Sequence, residues 1–205
     1  MAKFEAEATP RSRAFTFLAQ ALAEGVYRPG DIIRIADIAR DLGLSSTPVR
    51  EALCRLAGTR LVEDRQREGF RLARLTSDEV AAAYGLEVHV YNRIVDGLDG
   101  DRLSGGGTTT PRGRTFVVVG TPVAFGMLQQ MTANALLRTL AIDLGDSLAP
   151  YRRHEAEVIA DAAADAARLD VAVASCDWPR VRIALALYVD RRSAVAHRLH
   201  VAGSR

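Results

Sequence analysis

The sequence predicts a mainly α protein in two parts: an N-terminal winged helix-turn-helix (1–75), then an all-helical bundle (76–205). Three observations carry that expectation. Residues 30–71 read as helix, tight turn, helix and basic hairpin. Beyond Leu75, apolar side chains recur at three- and four-residue intervals, the period of a helix with one buried face. The chain, with 205 residues of which 48% are hydrophobic, is long enough for two packed cores.

In chain order, a first helix spans 11–25 with Phe15, Leu18, Ala19 and Leu22 on one face, and Tyr27-Arg28-Pro29-Gly30 turns the chain. Ile35, Ile38, Ala39 and Leu42 mark a second helix, which Gly43 ends because glycine enters the left-handed backbone region without a Cβ clash. Leu44 packs the turn. Ser45 is placed to cap the next helix, and Pro48 is tolerated in its first turn. That third helix spans about 47–57, with Val49, Leu53 and Leu56 inward and Ser46, Thr47, Arg50 and Arg55 outward. Residues 61–64 and 70–72 are short strands, joined by Arg65-Gln66-Arg67-Glu68-Gly69 as a wing.

A helix whose N-terminus enters the major groove offers its first side chains to base edges, while its free N–H groups favour phosphate. Arg50 suits a guanine, since its planar fork meets O6 and N7 together. Ser45, Ser46 and Thr47 stand where a phosphate or base would be reached. Arg65 and Arg67 would touch backbone or minor groove, and Gly69 permits close approach. On these residues alone, an amphipathic helix pair with a solvated basic loop stays open as the alternative.

The runs Tyr27-Arg28-Pro29-Gly30-Asp31, Ile35-Ala36-Asp37-Ile38-Ala39, Leu42 to Leu53 (LGLSSTPVREAL) and Gly69-Phe70 closely resemble the GntR family of bacterial transcription regulators, over about residues 11–75. The resemblance implies a sequence-specific regulator that binds a double-stranded DNA operator as a homodimer and answers to a small-molecule effector. Two departures alter the interface. Ser46 stands where the family usually has an Arg that contacts DNA, and Arg67-Glu68-Gly69 stands where Asn-Arg-Gly is usual. Arg34 loosely matches a residue the family turns toward the DNA backbone. A winged-helix protein-interaction module without sequence-specific DNA binding is the alternative that these departures support.

After Leu75, Thr76 or Ser77 caps a helix over 79–98, with Asp78 and Glu79 at its positive end and Val80, Tyr84, Val88, Tyr91 and Ile94 on its core face. Residues 99–114, with five Gly, read as an exposed mobile loop; GGG lacks the Gly-Lys-Ser/Thr ending of a phosphate-binding P-loop. Residues 116–120 have strand composition. Phe125, Leu128, Met131, Leu136, Leu137 and Leu140 mark one or two further helices, 154–174 another, and 179–200 a last one, which Asp177 caps.

This half resembles, more weakly, the FadR branch of the same family, whose helical (FCD) domain binds a small carboxylate or acyl effector and dimerises. The residues are Glu79-Val80 with Tyr84, Asn134 with Leu137, and Leu169 to Asp177. Many members of that branch hold a divalent metal with one Asp and three His. The corresponding positions here are Thr121, Phe125, Ala166 and Tyr188, so no metal and no other cofactor is expected, and no residue is singled out for the effector. Arg152-Arg153-His154 form a basic trio able to attract an anion.

Composition excludes other classes. Residues 1–75 hold 13 Lys or Arg against 10 Asp or Glu, a net of +3, and 76–205 hold 14 against 15, a net of −1. The excess of positive charge falls on the half expected to meet DNA. No run of apolar residues reaches membrane-spanning length and no secretory signal is visible, so cytoplasm is expected. Cys54 and Cys176, without CxxC spacing, are read as small buried or half-buried side chains. His89, His154, His197 and His200 are read as structural or surface groups. No nucleophile elbow, metal-binding helix or paired acid motif points to an enzyme.

Overall fold

A computed structural model describes residues 9–66, 68–103 and 121–204. They form two compact units, one through Arg74 and one from Leu75 onward.

In the first unit, α1 (Pro10–Glu24) starts at Thr9, whose hydroxyl accepts the Ser12 N–H, and stops at Gly25, held at φ 77°. Its buried side, Ala14, Leu18 and Ala21, packs chiefly on the third helix. α2 (Ile35–Leu42) and α3 (Ser46–Gly58) follow, close to the expected spans. Val49, Leu53 and Leu56 are buried as the helical period requires. The hairpin is β2 (Val62–Arg65) and β3 (Gly69–Leu72). The sheet has a third strand that the sequence reading missed: β1 (Ile32–Ile33) pairs antiparallel with β3, Ile33 opposite Phe70, giving the order β1-β3-β2. Ile33, Val62, Phe70 and Leu72 turn one apolar face onto the helices.

The second unit opens on α4 (Ser77–Leu103). Thr76 is its cap: Glu79 N–H donates to the Thr76 hydroxyl at 3.3 Å, and Thr76 N–H donates back to the Glu79 carboxylate at 2.8 Å. Glu79 is accordingly held below the ordinary carboxylate pKa by those Thr76 hydrogen bonds. α4 runs five residues into the stretch expected to be loop. Arg182 supports the first residue of this extension, tying Asp96 and Asp99 of α4 at 3.0 and 3.3 Å. The rest of 99–114, and 116–120, lie outside the described residues.

α5 (Val123–Met131) and α6 (Ala135–Arg152) come next, α6 capped by Asn134, whose side-chain oxygen accepts the Leu136 and Leu137 N–H groups. The helix expected over 154–174 is two, α7 (Glu155–Val158) and α8 (Ala162–Ala174), separated where Asp161 adopts φ 58°. Arg191 donates to the Ala160 carbonyl that this break leaves without a helical partner. The last expected helix is also divided, into α9 (Trp178–Ala194) and α10 (Ala196–Gly203), and Asp177 caps α9 at Arg180 N–H, 3.2 Å. α4 is the central element, packed on α5, α6, α9 and α10. Among the described residues no helix is long and apolar enough to cross a membrane.

Candidate nucleic-acid interface

α2 ends at Gly43 (φ 62°), and the Leu44 N–H reaches back to the Ala39 carbonyl at 2.8 Å, so the chain reverses within two residues. Arg13 of α1 donates to the Leu42 carbonyl at 3.1 Å and supports the same turn. Leu44 packs against the core and directs α3 outward. Ser45 holds the N-cap position in extended conformation, but its hydroxyl accepts no helix N–H, which corrects the expected cap bond. The first-turn amides of α3 are therefore left for another acceptor.

Ser45, Ser46, Thr47 and Arg50 are all exposed at this end of α3. Arg50 extends along the wing, its guanidinium carbon 6.0 Å from the centroid of the Phe70 ring. Among the described residues it has no carboxylate partner. The neighbouring acid Glu51 is occupied: Arg11 of α1 bonds it at 2.6 Å, and that hydrogen bond lowers its pKa. α3 thus presents an unpaired guanidinium with its adjacent carboxylate neutralised.

The other expected contacts divide. Arg34 is exposed at the N-cap of α2, beside a polar surface hollow of about 550 Å³ that it shares with Asp37 and Arg71. Arg65 lies on β2, paired with Glu63 at 2.8 Å. Gly69 opens β3 with φ 86°, a value that L side chains resist. Arg67 lies outside the described residues. Glu68, the acid where the resemblance expects Arg, is partly offset by Arg71 at 3.4 Å. Arg55 was expected to face a partner and instead stacks on Phe15 of α1, 4.2 Å from the ring centroid, an attachment that sequence spacing could not reveal. Cys54 is exposed four residues after Arg50, which corrects its expected burial, while Cys176 is half-buried.

The second unit encloses a buried ionic core. Arg152 donates to Glu87 with both side chains wholly buried. The basic trio is thereby broken up, since Arg152 faces inward and His154 pairs with Glu157 at 3.3 Å. Arg192 bonds Glu155 at 2.5 Å and Asp165 at 3.2 Å, with Tyr84 donating to Glu155 at 2.8 Å. Burial raises the Glu87 carboxyl while Arg152 pulls against it, and burial pushes the Tyr188 hydroxyl up to about 12.

Two of the positions that the FadR resemblance would make metal ligands fall here. Phe125 stacks on Tyr91 at 4.2 Å and meets Tyr188 edge-on at 5.4 Å. Arg152 stands 5.4 Å from the Phe125 centroid, and Arg192 3.4 Å from that of Tyr188. With no donor on Phe125 or Ala166 and a guanidinium over each of the two aromatic rings, these residues do not fit a divalent metal. Among the described residues no group of three or more His, Cys, Asp or Glu is placed to hold one.

The first unit is a winged helix-turn-helix, and residues 10–72 match the family described as bacterial regulatory proteins, gntR family. Within that class, the chain is 26% identical over 91 residues to the "Uncharacterized HTH-type transcriptional regulator YdhC" of Bacillus subtilis (strain 168), covering 42% of this chain and 41% of that one. It is 36% identical over 75 residues to the "Probable D-xylose utilization operon transcriptional repressor" of Paenarthrobacter nicotinovorans, covering 37% of this chain and 33% of that one. The chain spans less than half the length of these curated relatives. The structure of E. coli McbR/YncC shares the fold over 93% of this chain and 98% of its own, with a TM-score of 0.58 at 18% identity.

Proposed function

We propose that this chain is a DNA-binding transcription regulator of the GntR type, acting as a dimer in the cytoplasm and without enzymatic activity. α3 enters the major groove, Arg50 reads a base, and Ser45, Ser46 and Thr47 meet phosphate or base edges. Arg34 meets the DNA backbone and Arg65 the backbone or minor groove, Arg65 contributing less than an unpaired arginine because Glu63 holds it; Gly69 permits close approach, and Arg67, outside the described residues, is assigned backbone or minor groove from the sequence alone. The carrying observation is the exposed Ser46-Thr47-Arg50 corner, where among the described residues Arg50 has no carboxylate partner while Arg11 occupies Glu51.

The helical unit is a FadR-like effector domain without the branch's metal. Its effector, a small carboxylate-like molecule, is held without a metal bridge and biases the geometry of the dimer; by linkage, operator DNA changes effector affinity by the same factor.

Selection of bound duplexes from random DNA, followed by titration of wild type and Arg50→Ala, tests the reading. Arg50→Ala should lose about 1–3 kcal/mol of operator affinity and relax the preference at one base pair. Ser46→Arg should tighten binding and steepen its salt dependence. A wild-type chain that enriches no sequence refutes the proposal and favours a protein-interaction module.

A further inference from the structure

Two contacts tie α1 to α3, and they lie one helical turn apart on each helix. Arg11 bonds Glu51 at 2.6 Å, and the Arg55 guanidinium lies over the Phe15 ring at 4.2 Å. Glu51 and Arg55 are an acid and a base four residues apart, the spacing at which such residues ordinarily pair along one helix. Phe15 draws Arg55 off, and among the described residues Arg11 is the cation that Glu51 pairs with. Thr47, Glu51 and Arg55 share one side of α3, and side chains on a helix lean toward its N-terminus, so an unheld Glu51 would lean over the turn that carries Thr47. As a source of stability the pair is minor, since the Arg11 and Glu51 side chains are 67% and 41% exposed and water screens their attraction.

We infer that Arg11 is a positioning residue for DNA binding: from α1 it holds the Glu51 carboxylate aside and offsets its charge, so that Thr47 and Arg50 meet DNA without a bare negative charge beside them. The inference rests on the DNA-binding reading above and adds to it a residue outside α3 and the wing. Arg11 acts through Glu51. A bare carboxylate one turn from Thr47 would repel the phosphate oxygens that α3 approaches, and it would weaken every duplex alike, because phosphate carries no sequence. The Arg11 hydrogen bond also lowers the Glu51 pKa. Without Arg11 that depression is lost, and nearby phosphate would push the carboxyl the other way.

The test uses the full chain and the duplex that wild type enriches from random DNA, with affinities measured for Arg11→Gln, Arg11→Lys, Glu51→Gln and the double variant Arg11→Gln/Glu51→Gln. Arg11→Gln should lose about tenfold in affinity, on the enriched duplex and on random duplex alike, with an unchanged thermal midpoint. Arg11→Lys, which keeps the charge, should bind nearly as wild type. Glu51→Gln should bind no more weakly than wild type, and the double variant should recover most of the loss, since neither bare charge is then present. Lowering the pH from about 7 to 5 should restore affinity in Arg11→Gln relative to the double variant, as Glu51 beside phosphate takes up its proton. A double variant as weak as Arg11→Gln overturns the inference, for Arg11 then touches DNA itself or only supports the fold. Wild-type affinity in Arg11→Gln, or parallel pH profiles for Arg11→Gln and the double variant, overturns it as well. Those results leave the DNA-binding reading standing, whereas a wild type that enriches no sequence overturns the two together.

Discussion

Severing the Glu87–Arg152 pair should unfold the helical unit far more readily than deleting the pair as a whole. Both side chains are 0% exposed, and Glu87 is the carboxylate hydrogen-bonded to Arg152, whose Nε and Nη1 have no partner among the described residues. Glu87→Leu leaves a guanidinium charge in a space walled by Tyr84 and Phe125, at 5.6 and 5.4 Å from the ring centroids. Stranding one charge of a buried pair costs about 3–5 kcal/mol, because desolvation is no longer offset by attraction. Arg152→Met removes the group that pulls the Glu87 carboxyl down, so burial then favours its protonated form and the loss should fall at the lower end of the range. The double variant removes both desolvation costs and should come within ~1–2 kcal/mol of wild type. Urea unfolding followed by circular dichroism gives the four stabilities, and the cycle should yield a coupling of roughly 3 kcal/mol or more. In a thermal scan each single variant should lower the transition of the helical unit by about 10 °C or more. Single losses that simply add in the double variant would refute the reasoning, since that result means the two charges do not depend on each other.

Asp146 is pushed up to about 6, by burial first and by Asp143 second, from an ordinary 3.8. Its native state holds the proton more tightly than the unfolded chain, so this contribution to stability is complete below pH 3.8 and is lost as pH rises through about 6. Asp146→Asn should match wild type at low pH and, with allowance for solvent screening, exceed it at pH 7.5 by on the order of 1–2 kcal/mol; identical pH profiles for the two proteins would sink this claim. A Cβ at Gly203 would stand 2.8 Å from Tyr151 Cδ1 and 3.2 Å from the Pro150 carbonyl, and the Tyr151 hydroxyl is engaged by the Leu75 N–H. Gly203→Ala should therefore lower stability by about 1–3 kcal/mol in a thermal melt, and an unchanged midpoint counts against the packing described. Leu53→Ala, at a wholly buried position of α3, should cost about 2–5 kcal/mol in urea unfolding; a loss below 1 kcal/mol would mean that α3 is not anchored through this face.

Much of the fold was legible because its signals are local. The stop at Gly43, the Thr76–Glu79 box, the Asp177 cap and the stripe from Val80 to Ile94 each lie within a few residues of one another, and backbone sterics and helical period act over that range. The exposed corner of α3 was equally visible, as the complement of Val49, Leu53 and Leu56. In Val181, Ile183, Leu185, Leu187 and Val189 the apolar residues alternate, and alternate residues cannot all face the core from one helix: Val181 and Leu185 are buried, whereas Ile183 and Leu187 point outward.

The amino-acid order by itself determined the helix ends that local signals mark, at Gly43, Thr76 and Asp177, and the apolar side of α3 and α4, since those choices are settled by neighbours three or four positions apart. Only the tertiary structure decided that Ile32–Ile33 joins a sheet, that Arg55 stacks on Phe15, that Arg11 neutralises Glu51, and that Arg152 turns inward to Glu87 rather than outward with His154. These outcomes depend on which distant group is brought within reach. An arginine side chain can serve solvent, a carboxylate or an aromatic ring, and the selection among them is made by desolvation and contact across tens of residues, not by any local preference.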